Sequence, residues 1–277
     1  MIERVDCHSH SAYSGHGSGS VADMVRRAEE LGLATFAQTE HLVLPEGMDP
    51  NFETSMAPQT MERYLAELHE QRERLRKDGS ALELVIGIEA DWLPGRTNEL
   101  VELCEPFEYV LGSVHFIDAR PIDDSRDLGV WDDYGIDGLW RAYFETWLDM
   151  AAHPGPIMCF SHPDLPKKYG WRPSFDAREY NYEMAQAAAR SGRMVEVNTA
   201  GLRNDANEAY PTLELLRSFH DAGVECTIGS DAHGPRDIAA NFDDAVELME
   251  RAGYRTIVVP TSDGDRRYVF IDDEGRK

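Results

Sequence analysis

Seven short apolar, β-rich runs alternate with amphipathic stretches along this 277-residue chain, and that alternation leaves few folds open. The runs cover residues 2–7, 34–39, 84–88, 109–114, 157–160, 194–197 and 224–228, and they read as buried strands because each is a strand-length apolar segment bounded by turn residues. Ser20-Val-Ala-Asp23 and Asp176-Ala-Arg-Glu179 place an oxygen acceptor at a helix N-cap and a carboxylate three residues on. Residues 60–77, 137–152, 211–222 and 238–252 also read as helices, and Gly32, Gly192, Gly223 and Gly253 come just after helical runs, where a left-handed cap belongs. Strand and helix in alternation predict a mostly parallel α/β sheet covered by helices. Seven repeats without a dinucleotide fingerprint favour a closed, distorted seven-stranded (β/α)7 barrel over an open doubly wound sheet. The whole chain, 1–277, reads as a single domain, with 255–277 as a terminal strand pair and a polar end.

Composition narrows the partners. The formal charge of −24 is spread along the chain, so most carboxylates form a solvated surface, and the resulting field repels extended nucleic acid, whose binding relies on Lys and Arg. A small ligand carrying positive charge of its own is better tolerated. No apolar run reaches the roughly 20 residues of a membrane span and the N-terminus lacks a signal pattern, so the expected address is the cytoplasm, with no membrane partner. Cys7, Cys104, Cys159 and Cys226 are widely spaced; they read as reduced, buried packing residues. Nothing in the sequence sets the oligomeric state.

The residues just past each predicted strand carry the chemistry. His8, His10 and His16 come after the first, His41 after the second in "TEH", and Glu89 after the third in "GIEADW". His115 comes after the fourth in "GSVHF", His162 after the fifth in "SHPD", Glu196 and Asn198 after the sixth, and Asp231 with His233 after the seventh in "GSDAH". In a barrel the loops at the C-terminal ends of the strands converge on one site, and seven of the ten histidines fall there, leaving His69, His153 and His220 in or beside helices. A single such His is ordinarily a hydrogen-bonded structural residue. Seven imidazoles together would repel one another as cations, whereas as neutral ligands of divalent metal they are stabilised. His8 and His10 are two residues apart, so on extended backbone both point to one side; Asp231 and His233 repeat that spacing.

The ordered segments "DCHSHSAYSGHG", "TEHLVLP", "GIEADW", "SVHF", "SHPD", "NTAGLR" and "GSDAH" resemble the motifs of the polymerase and histidinol phosphatase (PHP) superfamily, most closely its monofunctional histidinol-phosphate phosphatases. The resemblance spans residues 6–233 and implies a distorted seven-stranded barrel with three divalent ions. Carried over residue by residue, it implies that His8, His10, Glu89 and Asp231 hold a first ion. Glu89 would bridge to a second held by His115 and His162, and His16, His41 and His233 would complete the third. His16 and Glu40 stand where many superfamily members have Asp, and both departures match the histidinol-phosphatase branch. The nitrogen and oxygen ligand set admits zinc, manganese, iron or cobalt without choosing among them.

The implied activity is hydrolysis of L-histidinol phosphate to L-histidinol and phosphate, in histidine biosynthesis, through attack of a metal-bridging hydroxide. Metal ions close together can activate water and clamp phosphoryl oxygens, which suits the very slow uncatalysed hydrolysis of phosphate monoesters. Arg203 is the expected phosphate clamp because a guanidinium binds phosphate oxygens in pairs, and Lys168, ahead of Lys167, is a second candidate. Glu40, Asp91 and Asp164 adjoin implied ligands and are candidate partners for the cationic organic end. Asp231 or His233 is the candidate proton donor to the leaving alkoxide, although a metal-bound residue is a poor free donor. Three other readings remain at this point: a PHP phosphoesterase for a nucleotide phosphate or phosphotyrosine, a polymerase-associated metal module acting through a separate partner, and a barrel whose metals are purely structural.

Overall fold

The computed structural model describes residues 2–271. In chain order it contains β1 (Val5–Asp6), α1 (Val21–Glu30), β2 (Thr35–His41), α2 (Met61–Asp78), β3 (Glu83–Asp91), α3 (Thr97–Cys104), β4 (Tyr109–Ser113), β5 (Phe116–Ile117), β6 (Arg120–Pro121) and α4 (Gly129–Ala152). Next come β7 (Cys159–Phe160), α5 (Arg178–Ser191), β8 (Met194–Asn198), α6 (Leu213–Asp221), β9 (Cys226–Gly229), α7 (Phe242–Ala252), β10 (Thr256–Pro260) and β11 (Arg266–Phe270).

Seven strands pair in parallel in the order β1-β2-β3-β4-β7-β8-β9. The two ends of the sheet then meet: Cys7 N–H donates to Ile228 O at 3.0 Å, Asp231 N–H to His8 O at 2.8 Å and His10 N–H to Ala232 O at 2.7 Å. These contacts turn the sheet into a nearly closed barrel, as the alternation predicts. The strands are buried almost without interruption, the pattern of a parallel sheet covered on both faces. Trp147 on α4 is fully buried against Phe160 of β7 and Phe219 of α6, locking the helical layer to the sheet.

The barrel's floor is the antiparallel pair β10–β11. Its loop donates from Ser262 to Glu83, and Arg267 reaches Thr35 and Glu3, while Arg266 pairs with Glu225. All four partners lie at or just before the N-terminal ends of barrel strands, opposite the histidine-bearing ends. The predicted terminal pair is therefore present, and its polar end, 272–277, lies outside the described residues.

Several boundaries move for identifiable reasons. Ser20 and Asp23 form the expected capping box on α1, but α5 begins at Arg178 without a side-chain cap, because the Asp176 carboxylate instead accepts from the Arg178 N–H at 3.1 Å and pairs with its guanidinium. The helix expected over 238–252 starts only at Phe242, since Ala239 and Asn241 adopt φ of 53° and 60°. The helix expected over 211–222 starts at Leu213, where the Thr212 hydroxyl accepts from Leu215 N–H. The helix expected from 137 extends back to Gly129 across a break at Gly135, φ 64°.

Candidate metal centre

Strand register brings the implied ligands together. His41 and Glu89 are direct partners at the C-terminal ends of β2 and β3, and the His41 Nδ1 lies 2.9 Å from Glu89 Oε2. His8 and His10, just past β1, both aim Nε2 at that oxygen from 3.4 Å. On the other side, Glu89 Oε1 lies 3.0 Å from His162 Nε2 and 3.6 Å from His115 Nε2. Asp231, beyond β9, stands 3.2 Å from His10 Nε2 and 3.8 Å from His8 Nε2. His233 stacks on His10 with ring centres 4.4 Å apart, and His16 completes the rim 4.5 Å from His233.

The backbone is bent to achieve this. Asp231 adopts φ 52° and His162 φ 21°, a region unfavourable for residues with a Cβ and typical of functional sites. Around the seam, the buried Asp6 carboxylate accepts from Ser230 N–H, Ser230 Oγ and Ala239 N–H, fixing the loop that carries Asp231 and His233.

Electrostatics reflect the crowding. Burial alone would raise the Glu89 carboxyl, but the imidazoles of His8, His41, His115 and His162 reverse the sign and hold it well below the ordinary carboxylate range. Asp231 behaves in the same way, opposed by burial and lowered by His8, His10 and His233. Burial, with neighbouring His41 and His10, pushes His16 down to about 4. Burial and His10 likewise depress His233. These shifts favour the neutral form of the two rings, in which imidazole binds metal, whereas carboxylate neighbours outweigh burial at His8, His10 and His115 and raise them.

The donors fit divalent cations on the structure's own terms. His8 Nε2, His10 Nδ1 and Nε2, His41 Nε2 and Glu89 Oε2 are buried without a hydrogen-bond partner. Such orphaned groups cost about 1–3 kcal/mol each, an expense that coordination offsets. Three sets, His8/His10/Asp231, His10/His41/His233 and His41/Glu89/His115, keep their ligand atoms within 4.8 Å of one another. His115 donates from Nδ1 to Asp91 Oδ1, 2.9 Å away, leaving Nε2 toward Glu89.

Above the cluster opens a cavity of about 550 Å³ whose wall includes His16, His41, His115, His162, Asp231 and His233. Arg203 lines it, held by donation from Nη2 to Ser230 O at 2.6 Å. Lys168 also lines it, its Nζ held by Asp123 O at 2.7 Å and Asp123 Oδ2 at 3.0 Å. Asp91 reaches the wall. Glu40 and Asp164 do not: Glu40 is fully buried, accepting from Ser11 N–H and Oγ, and Asp164 pairs with the buried Lys167 at 2.9 Å and accepts from Thr212 N–H. Lys167 itself is spent on Asp164 and Ala209 O. Residues that sequence reasoning passed over also line the cavity, notably Asp123, Asp124, Arg126 and Tyr210. No spacing pattern marks them, because they come from the stretch after the β5–β6 excursion and from the segment after β8.

Comparison with known proteins agrees with this architecture. The model of the family described as "PHP domain" matches residues 6–200. A Deinococcus radiodurans protein named "Probable histidinol-phosphatase" is 29% identical over 93% of this chain and 96% of its own length. A Schizosaccharomyces pombe protein of the same name is 25% identical over 91% of this chain and 88% of its own. The crystal structure of histidinol phosphate phosphatase from Lactococcus lactis, complexed with zinc, L-histidinol and phosphate, superposes with a TM-score of 0.81 at 21% identity, covering 96% of this chain and all of that one. At that identity the likeness speaks for the fold.

Proposed function

Because the chain belongs to the PHP domain family, we propose that it is a metal-dependent phosphomonoesterase hydrolysing L-histidinol phosphate to L-histidinol and phosphate. The observation that carries this reading is the convergence of seven imidazoles with Glu89 and Asp231 beneath a cavity walled by Arg203 and Lys168. The names of the relatives and the ligands of the Lactococcus lactis structure support the substrate. We assign three divalent ions: one to His8, His10, Glu89 and Asp231, one to Glu89, His115 and His162, and one to His16, His41 and His233. When bound, such ions supply an activated water and offset charge on the phosphoryl oxygens.

The chain's own residues do the rest. Arg203, braced on the Ser230 carbonyl, presents a guanidinium to the phosphoryl oxygens, and Lys168, aimed by Asp123, adds a second positive charge at the same wall. Asp91 orients the His115 ring through Nδ1. Asp91, Asp123 and Asp124 also reach the wall, and their carboxylate oxygens offer acceptors to the ammonium and imidazole of histidinol. Four free, buried cysteines suit a reducing compartment such as the cytoplasm. Among the described residues no helix is long and apolar enough to cross a membrane.

The test is phosphate release from L-histidinol phosphate, a nucleoside bisphosphate, a phosphodiester and a phosphotyrosyl peptide, each with zinc, manganese or iron. The expected outcome is a kcat/KM for L-histidinol phosphate at least 100-fold above the others. Preference for another member of the panel overturns the substrate assignment.

A further inference from the structure

Glu196 belongs neither to the ligand set nor to the cavity wall, yet it is a fully buried carboxylate near the C-terminal end of β8. Among the described residues no Lys or Arg pairs with it; three nitrogen donors converge on it instead. His8 Nδ1 lies 2.8 Å from Oε1, the His162 N–H donates to Oε2 at 3.0 Å and Asn198 Nδ2 donates to Oε2 at 3.1 Å. The neighbouring strand leaves room for this contact: a Cβ on Gly229 would sit 2.0 Å from Glu196 Oε1 and 2.4 Å from His8 Cβ. Any side chain there would drive the carboxylate and the imidazole apart.

The chemistry of the contact is one-sided. A carboxylate only accepts, so the proton of His8 belongs on Nδ1, and a nitrogen that carries a proton cannot ligate. With the Nδ1 proton given to Glu196, the lone pair left for a cation is that of Nε2, the buried atom without a hydrogen-bond partner that faces Glu89 Oε2 and Asp231 Oδ1. The same carboxylate holds the amide of His162, whose backbone is in the left-handed region.

We propose that Glu196 is a positioning residue that presets the metal-binding tautomer of His8 and the backbone of His162, with Gly229 as the clearance that lets it do so. The inference rests on the metal-centre reading above but is independent of the substrate, since cation binding can be measured without one. Failure of L-histidinol phosphate hydrolysis would leave it standing.

Glu196→Gln is nearly isosteric but offers one acceptor and one donor to a site where three donors converge. The experiment titrates metal-free wild type and E196Q with zinc against a chromophoric chelator, alongside the melting temperature of each metal-free protein. Partners of ligating histidines are worth about 10- to 100-fold in metal affinity; the expected result is a loss of that size at the two zinc equivalents held through His8 and His162, with the third unchanged. A folded E196Q with wild-type stoichiometry and affinity, changed only in melting temperature, would show a purely structural role and overturn the proposal. A second measurement needs no variant: side-chain 1H–15N spectra of zinc-loaded wild type should show His8 protonated at Nδ1 and zinc-bound at Nε2. Zinc on Nδ1 overturns the proposal even if E196Q fails to fold.

Discussion

Arg203 shows how much a single side chain can be asked to do. Its Nη1 approaches Thr199 O at 3.3 Å and its Nη2 is anchored on Ser230 O, so the guanidinium is oriented before any ligand arrives. A planar fork bound in this way is not replaced by an ammonium on a flexible stem. Arg203→Ala is expected to lower kcat/KM for L-histidinol phosphate about 100-fold, and Arg203→Lys to recover little of it, in steady-state kinetics. Equal activity of the Lys variant and wild type would remove the clamp from the mechanism. Single residues are legible where strand ends declare them: His8, His41, Glu89, His115 and Asp231 each come at the end of an apolar run. Glu40 and Asp164 depart from expectation because proximity in sequence to a ligand does not place a side chain beside the ligand's substrate. Glu40 sits behind His10, 3.5 Å from its Nδ1, and Asp164 turns to Lys167. Asp123 gives no signal, since its value depends on a lysine 45 residues away.

At the scale of elements, local chemistry decides which boundaries can be read. The Ser20 capping box needs only four residues, and its pattern is complete in the sequence; Ser20→Ala should cost about 1 kcal/mol in urea unfolding with turnover unchanged, because α1 contributes nothing to the cavity wall. The start of α7 cannot be read in this way. It is delayed by two left-handed residues whose conformation is held from afar, where Ala239 N–H donates to Asp6 and Ala240 O accepts from the Thr199 hydroxyl. The β5–β6 excursion is equally silent, being too short for periodicity. It matters because it brings Asp123 to Lys168.

For the whole molecule, the alternation of strand and helix specifies the barrel, but the closing of that barrel is set by long-range contacts that no local window contains. Its hydrophobic cluster draws on all seven barrel strands and on the helices around them, so the fold does not depend on the centre at its mouth. Removal of metal with a strong chelator is therefore expected to abolish phosphate release while far-UV circular dichroism persists. The melting temperature should fall by about 10 °C, as expected for loss of a ligand bound at roughly a thousand times its dissociation constant by a chain of this size. Loss of the far-UV signal under the same conditions would mean that the cations hold the barrel itself.

The seam between β1 and β9 has a further consequence for how such a centre comes into being. His8 and His10 leave the ribosome ahead of Asp231, which must wait until more than two hundred further residues have been added. Since the meeting of His8 O with the Asp231 amide joins the two ends of the sheet, the cage is completed only once the ring has closed, and a half-made chain offers its early imidazoles no Asp231.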